Sequence, residues 1–319
     1  MLRALLIYLS QAEWAQRLIH NLGFARRMAL RFVAGEDLDS AIEAVKILNQ
    51  KGLEATLDHL GEHVSSKSDA RAATEEILKM LDRISAEDLR SGVSIKLTQL
   101  GLGLEEDVCA GNLRKIMSRA QERDLFVRID MEGSDYTEAT LGLFYRMLEE
   151  GYGDVVGIVI QSYLYRTEND VQRILEREGK VRLCKGAYKE PPEIAFPKKE
   201  GVDRNFDHIA AMLLDVSKET GIRVSPDGVH PPIPAIATHD EERIAFATGY
   251  AEKIDLPQGG VEFQMLYGIR SDLQEELAQE GYPVRIYVPY GTEWYPYFVR
   301  RLAERPANVW FFISNLIRG

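Results

Sequence analysis

Cysteine is scarce, with two in 319 residues, and Cys109 and Cys184 lie so far apart that neither a disulfide framework nor a thiolate metal cluster is suggested. That usage suits a reducing, cytoplasmic setting. Long apolar runs are also missing. No stretch approaches the roughly 20 residues that span a bilayer, so any work at a membrane is expected from its surface. The short apolar run in Met1–Ser10 meets Gln11, Glu13 and Arg17 without a small-residue cleavage site, so secretion is not expected. Basic residues number 39 against 50 acidic ones, and the net charge of -11 repels phosphate backbones, which argues against nucleic acid as a partner and disfavours anionic membrane surfaces. Gly101/Gly103 and Gly151/Gly153 do not complete G-x-G-x-x-G, and Walker A and G-x-S-x-G patterns are absent. Neither an internal repeat, a low-complexity tract nor a long linker divides the chain.

What is present is globular: 45% hydrophobic and 9% aromatic residues, enough for one large domain or two ordinary ones. Eight short aliphatic or β-branched runs stand near Ala55–Leu57, Gly92–Leu97, Phe126–Asp130, Val155–Ile160, Lys180–Leu183, Ile233–Ala237, Val261–Met265 and Val284–Val288, each bounded by Gly, Pro or polar residues. Between them lie stretches of helical period at 69–83, 105–122, 136–149, 168–178, 204–220 and 241–253. Thr167 with Asp170 and Asp135 with Glu138 resemble capping boxes, and Gly221 follows the fifth stretch as a C-cap. The alternation predicts an α/β fold, a (β/α)8 TIM barrel over 53–319, preceded by an N-terminal helical arm over 1–52; a Rossmann-like pair of domains is the alternative. The arm carries an apolar stripe of Trp14, Leu18, Met28 and Phe32 beside Arg17, Arg26, Arg27 and Arg31, and is expected to pack on the barrel or a neighbouring subunit. The C-terminal run Val309–Arg318 is expected to pack likewise, internally or between subunits of a homo-oligomer.

In such barrels chemistry collects where strands end. Polar residues at these positions are Lys96, Asp130, Glu132, Gln161, Arg182, Lys185, Thr238, His239, Glu262, Gln264 and Tyr287. Toward the C-terminus Tyr297, Arg300, Arg301 and Glu304 share or flank one helical face beside Trp294 and Tyr295, where two guanidiniums could clamp a carboxylate and Glu304 could accept from an ammonium. Competing signals are weaker. His59-x-x-Glu62-His63 matches an inverted zinc-protease pattern, but Gly61 and the preceding strand-like run oppose the helix it needs, and no metal site is expected. Lys96 could instead be the Schiff-base lysine of an aldolase-like barrel, which requires a lowered pKa. The Pro-, Lys- and Glu-rich segment 191–201 reads as a solvated loop, with a lid as the alternative.

Six motifs in order carry a resemblance to bacterial monofunctional proline dehydrogenases: Ser94-Ile-Lys-Leu97, Arg128-Ile-Asp-Met-Glu132, Arg182-Leu-Cys-Lys-Gly-Ala-Tyr188, Ala237-Thr-His-Asp240, Glu262-Phe-Gln-Met-Leu-Tyr-Gly268, and Tyr297-x-x-Arg300-Arg301-x-x-Glu304. Cys184 departs from the aliphatic residue usual at its position. The resemblance implies a distorted barrel holding FAD without covalent linkage, oxidation of L-proline to 1-pyrroline-5-carboxylate by hydride transfer from proline C5 to flavin N5, and a membrane quinone as electron acceptor at the inner face of the membrane. It implies a separate pyrroline-5-carboxylate (glutamate semialdehyde) dehydrogenase for the product. By residue-wise carry-over, Lys96, Arg300 and Arg301 hold the substrate carboxylate, Glu304 lies near the ring nitrogen or pairs with an Arg, and Tyr188, Leu266, Tyr287 and Tyr297 line the ring pocket. Met131, Gln161, Arg182, Lys185, Gly186, Ala187, Thr238 and His239 become flavin contacts, with Asp130 and Arg182 beside the reacting centre. Hydroxyproline is the competing substrate; a barrel without activity would be missing polar groups that these motifs retain.

Overall fold

The computed structural model describes residues 28–62 and 64–304, with the side chains of 302–304 excepted. Nine helices and eight strands alternate in it: α1 (Leu38–Gln50), β1 (Glu54–His59), α2 (Lys67–Ala86), β2 (Ser91–Ile95), α3 (Glu106–Arg123), β3 (Val127–Ile129), α4 (Ser134–Glu149), β4 (Val156–Gln161), α5 (Thr167–Leu175), β5 (Lys180–Cys184), α6 (Lys199–Thr220), β6 (Pro234–Ala237), α7 (Glu241–Lys253), β7 (Glu262–Leu266), α8 (Ser271–Gln279), β8 (Val284–Tyr290) and α9 (Trp294–Glu304). Each strand pairs in parallel with its neighbours in sequence, and β1 pairs with β8, with Leu57 opposite Val288, to close the barrel. The closed ring excludes the Rossmann-like alternative.

The helices explain how the barrel mouth is shaped. α1 buries Ala41, Ile42, Ala44, Val45 and Leu48, a helical spacing, and packs against both β1 and β8. It therefore fills the place beside the barrel where the helix following β8 would otherwise lie. α9 belongs to a second, smaller core in which Trp294, Tyr295, Phe298 and Val299 meet Met28, Phe32, Leu60 and Ile269. That core is built over the strand C-termini from a segment before α1, the end of β1 and the loop after β7. Gly268 permits the crossing: at φ +70° a Cβ there would stand 1.6 Å from the Arg31 carbonyl oxygen. Of the expected arm, Met28 and Phe32 thus pack beneath α9, while Trp14, Leu18, Arg17, Arg26 and Arg27 lie outside the described residues, as do His63 and Val309–Arg318.

Local capping was misread at two helices. Asp135 and Glu138 form no capping box, because α4 starts at Ser134 after Gly133, which has no side chain to cap with. Thr167 does not cap α5 either; its hydroxyl donates to the Gln161 carbonyl at 2.6 Å, and Asp170 accepts from Arg166 at 2.6 Å. Gly221 does end α6, in the left-handed region at φ +69°. Residues 199–201, expected in a loop, form the first turn of α6.

Candidate functional site

Inward-facing positions of the strands are unusually polar for a barrel, where Val, Ile and Leu commonly fill the interior. On β1, Thr56 and Asp58 face in; on β2, Ser94; on β5, Arg182; on β7, Glu262 and Gln264; on β8, Arg285 and Tyr287, all linked by hydrogen bonds or ion pairs across the interior. At the N-terminal end Glu262 accepts from Arg285 Nε at 3.1 Å through both oxygens. Glu262 was expected at a strand outlet; it is the first residue of β7 and completely buried, so it belongs to the closed end of the barrel. Gln264 donates its amide to Glu262 and accepts from Arg182 Nε, carrying the order upward.

At the open end a cavity of about 430 Å³ forms. Its floor is an ion-pair network. Arg182 Nη1 donates to Asp130 Oδ1 at 2.7 Å and Nη2 to Ser94 Oγ at 3.0 Å, while the Tyr287 hydroxyl donates to Asp130 Oδ2 at 2.8 Å. Lys96 Nζ donates to Asp58 at 2.7 Å and to the Tyr287 oxygen at 3.3 Å, and stands 3.8 Å from Asp130. Burial pushes the Asp130 carboxyl above its ordinary value, with Arg182 and Lys96 pulling against it. The Tyr287 hydroxyl is raised strongly by burial and by the Asp130 charge, so it stays a donor. For Lys96, burial works against the ammonium, but Asp58 and Asp130 outweigh it and hold it above 10.5. A lysine so stabilised is unsuited to Schiff-base chemistry, which needs the opposite shift. Its contribution to stability is accordingly full below pH 10.5 and is lost only as pH rises through the higher folded-state value. Asp58→Asn removes the nearer of the two carboxylates that hold this ammonium, so the Lys96 value is expected to fall; a pH profile of substrate affinity reads this as an alkaline fall in the variant that the parent does not show.

The walls come from the βα loops. After β3 stands Met131, and Glu132 accepts from the Thr98 N–H at 3.0 Å and from its hydroxyl; burial raises this carboxyl. Gln161 ends β4 and donates to the Glu132 carbonyl at 3.0 Å. After β5, Lys185, Gly186, Ala187 and Tyr188 form one wall, with Lys185 paired to Asp203 and Asp240. Thr238 and His239 follow β6, and His239 Nε2 accepts from the Leu266 N–H at 3.0 Å, joining the ends of β6 and β7. Cys184 lines the cavity as well, and burial pushes its thiol up to about 12, so it is a protonated, poorly nucleophilic thiol near neutral pH.

α9 supplies the roof. Tyr297, Arg300 and Arg301 line the cavity, with the Arg301 guanidinium 5.1 Å from the Tyr297 ring centre and Arg300 Nη2 donating to Glu62 at 3.0 Å. Trp294 and Tyr295, the aromatic neighbours of these arginines in the sequence, are buried in the small core behind the cavity. Glu304 is the last residue of α9, and its side chain lies outside the described residues.

Thus the expected site residues Lys96, Asp130, Met131, Gln161, Arg182, Lys185, Gly186, Ala187, Tyr188, Thr238, His239, Leu266, Tyr287, Tyr297, Arg300 and Arg301 border one cavity. Sequence reasoning missed Asp58 and misplaced Glu62. Asp58 was signalled by Glu54, Thr56 and Asp58, polar at every second position of a strand. Glu62 was read within a zinc pattern, but His59 ends a strand, so the helix that pattern needs does not form.

Comparison with known proteins follows the same lines. The proline dehydrogenase family profile matches residues 41–313. The chain is 41% identical over 318 residues to proline dehydrogenase 1 of Bacillus subtilis (strain 168), covering 100% of both chains. It is 37% identical over 295 residues to the proline dehydrogenase of Deinococcus radiodurans, covering 92% of this chain and 91% of that one. Among solved structures, proline utilization A from Bdellovibrio bacteriovorus, inactivated by N-propargylglycine, superposes with a TM-score of 0.78 at 27% identity over 87% of this chain and 32% of that chain.

Proposed function

The chain belongs to the proline dehydrogenase family, and from that premise we propose how its cavity receives proline and a flavin. It is an oxidoreductase that catalyses proline oxidation, the first step of proline catabolism. The observation that carries the reading is the meeting of Lys96, directly after β2, with Arg300 and Arg301, from α9, around a cavity floored by Arg182 and Asp130. Three cations in a partly desolvated space suit one carboxylate. Tyr188, Leu266, Tyr287 and Tyr297 supply the apolar walls a pyrrolidine ring requires.

FAD fits the side of the cavity formed after β5 and β6. Ala187 and Ala237 line it with small side chains, and Gly186, at φ +118° with the Tyr163 ring packed where a Cβ would stand, lets the chain after β5 follow that wall. Lys185, Thr238, His239, Gln161 and Arg182 offer donors that would hold it, beside Met131. When bound, FAD supplies the acceptor for the hydride lost by proline. The protein's own part is positioning and charge. Arg300, Arg301 and Lys96 fix the carboxylate and so the orientation of the ring. Their positive field, with burial, favours the neutral amine whose lone pair assists departure of the hydride and formation of 1-pyrroline-5-carboxylate. Arg182, locked by Asp130, Ser94 and Gln264, holds positive charge at the cavity floor without having to reorganise.

We further propose a quinone as electron acceptor and a separate dehydrogenase as consumer of the product. Among the described residues no helix is long and apolar enough to cross a membrane, so a quinone would be met from the membrane surface. Steady-state oxidation of L-proline with a short-chain quinone or NAD as sole acceptor tests this: quinone is expected to sustain turnover, and turnover with NAD alone would overturn the assignment.

A further inference from the structure

Between β5 and α6 the chain runs from Lys185 to Lys198 without a helix or strand, and its first four residues form a wall of the cavity. A connection of this length keeps one conformation only where specific bonds hold it. Two backbone clamps fix its ends. The Tyr163 N–H donates to the Lys185 carbonyl at 3.0 Å, and the Tyr165 N–H to the Ile194 carbonyl at 3.0 Å. The expected solvated loop is therefore tied down against the loop after β4, with Leu164 bridged to Ala195.

Between the clamps stands Glu190. Its Oε1 accepts from the Ser134 N–H at 2.9 Å, its Oε2 accepts from the Ser134 hydroxyl, and the Tyr163 hydroxyl lies 3.4 Å from Oε1. Ser134 is the first residue of α4, the helix whose own N-cap, Gly133, lacks a side chain. Glu190 thus supplies from another loop the carboxylate that the helix start calls for. Tyr163 in turn presses its ring against Gly186, where an added Cβ would stand 2.5 Å from it. One carboxylate joins α4, the loop after β4 and the cavity wall. Lys185 has anchors of its own in Asp203 and Asp240, so the part of the wall that depends on Glu190 is the part carrying Tyr188.

We propose that Glu190 is a positioning residue for substrate binding, holding Tyr188 in place against the proline ring by docking its loop on the N-terminus of α4. The inference rests on the reading of this cavity as the proline site. Arg182 lies within β5, ahead of the loop, Asp130 and Tyr287 lie directly after β3 and on β8, and the three bond to one another rather than to Glu190, so the effect is on affinity more than on chemistry. A loop held in its bound conformation does not have to be ordered when substrate arrives.

The test uses the flavin-loaded enzyme with Glu190→Ala, Glu190→Gln, Ser134→Ala and the Ser134→Ala/Glu190→Ala double variant. For Glu190→Ala, KM for L-proline is expected to rise about tenfold, with kcat within about threefold and flavin content unchanged. Glu190→Gln keeps an oxygen for the Ser134 N–H and is expected to recover much of the loss. The double variant is expected to be no worse than Glu190→Ala, since both changes break the same joint. An unchanged KM in Glu190→Ala overturns the proposal, and so does a parallel fall in kcat, flavin content and thermal stability, which marks a general structural role. Parent enzyme that does not respond to proline instead refutes the underlying assignment of the cavity, and the inference with it.

Discussion

An Arg182→Met variant is expected to lose about a hundredfold to a thousandfold in kcat, the scale seen when one preorganised electrostatic donor is removed. Arg182 is 5% exposed and has three fixed partners, Asp130, Ser94 and Gln264, so its charge is held in place before substrate arrives. Losing one member of a buried ion pair typically costs about 3–5 kcal/mol of stability. Here the lower end is expected, because Asp130 keeps its bond from Tyr287 at 2.8 Å and burial already favours its protonated form. Thermal unfolding separates this loss from the catalytic one. Arg182→Lys is expected to restore a charge near Asp130 but not the three-way geometry, and so to recover kcat only in part. A Met variant within tenfold of the parent kcat would mean that the charge at the cavity floor contributes little.

The second large effect concerns affinity. Replacing Arg300 or Arg301 by Met is expected to raise KM for proline roughly tenfold to a hundredfold, because a charge-assisted hydrogen bond contributes about 1.5–3 kcal/mol. The loss is expected to be smaller for Arg300. Its guanidinium is bonded to Glu62 at 3.0 Å, and a substrate carboxylate must compete with that partner. Steady-state kinetics at saturating acceptor read both values. An Arg300→Met enzyme with undiminished proline affinity would contradict the carboxylate clamp.

The barrel was legible because eight strands of similar character recur between Gly, Pro and polar boundaries, and each observed strand lies within two residues of its expected limits at either end. The two residues by which β1 runs on past Leu57 to His59 hid Asp58. A strand ended at Leu57 leaves no inward-facing carboxylate beside Lys96, whereas the observed strand places one 2.7 Å from it. The roof of the site was visible in the helical spacing of Tyr297, Arg300 and Arg301, but the displacement of α9 onto the mouth was not. It follows from α1 occupying the flank of β1 and β8, a tertiary competition that periodicity does not encode. The capping errors have the same origin. Glu138 reads as a local partner of Asp135, yet it accepts from Arg166, 28 residues away, while the start of α4 is served by Glu190 from 56 residues away.

A single cavity that receives both a flavin and proline makes the colour of the protein answer to its substrate. The most direct test is the visible absorption spectrum of the purified protein, recorded without oxygen before and after addition of L-proline. A yellow flavin spectrum that bleaches on addition is expected. A bound flavin indifferent to proline, or a protein that takes up no flavin even when reconstituted with FAD, would contradict it.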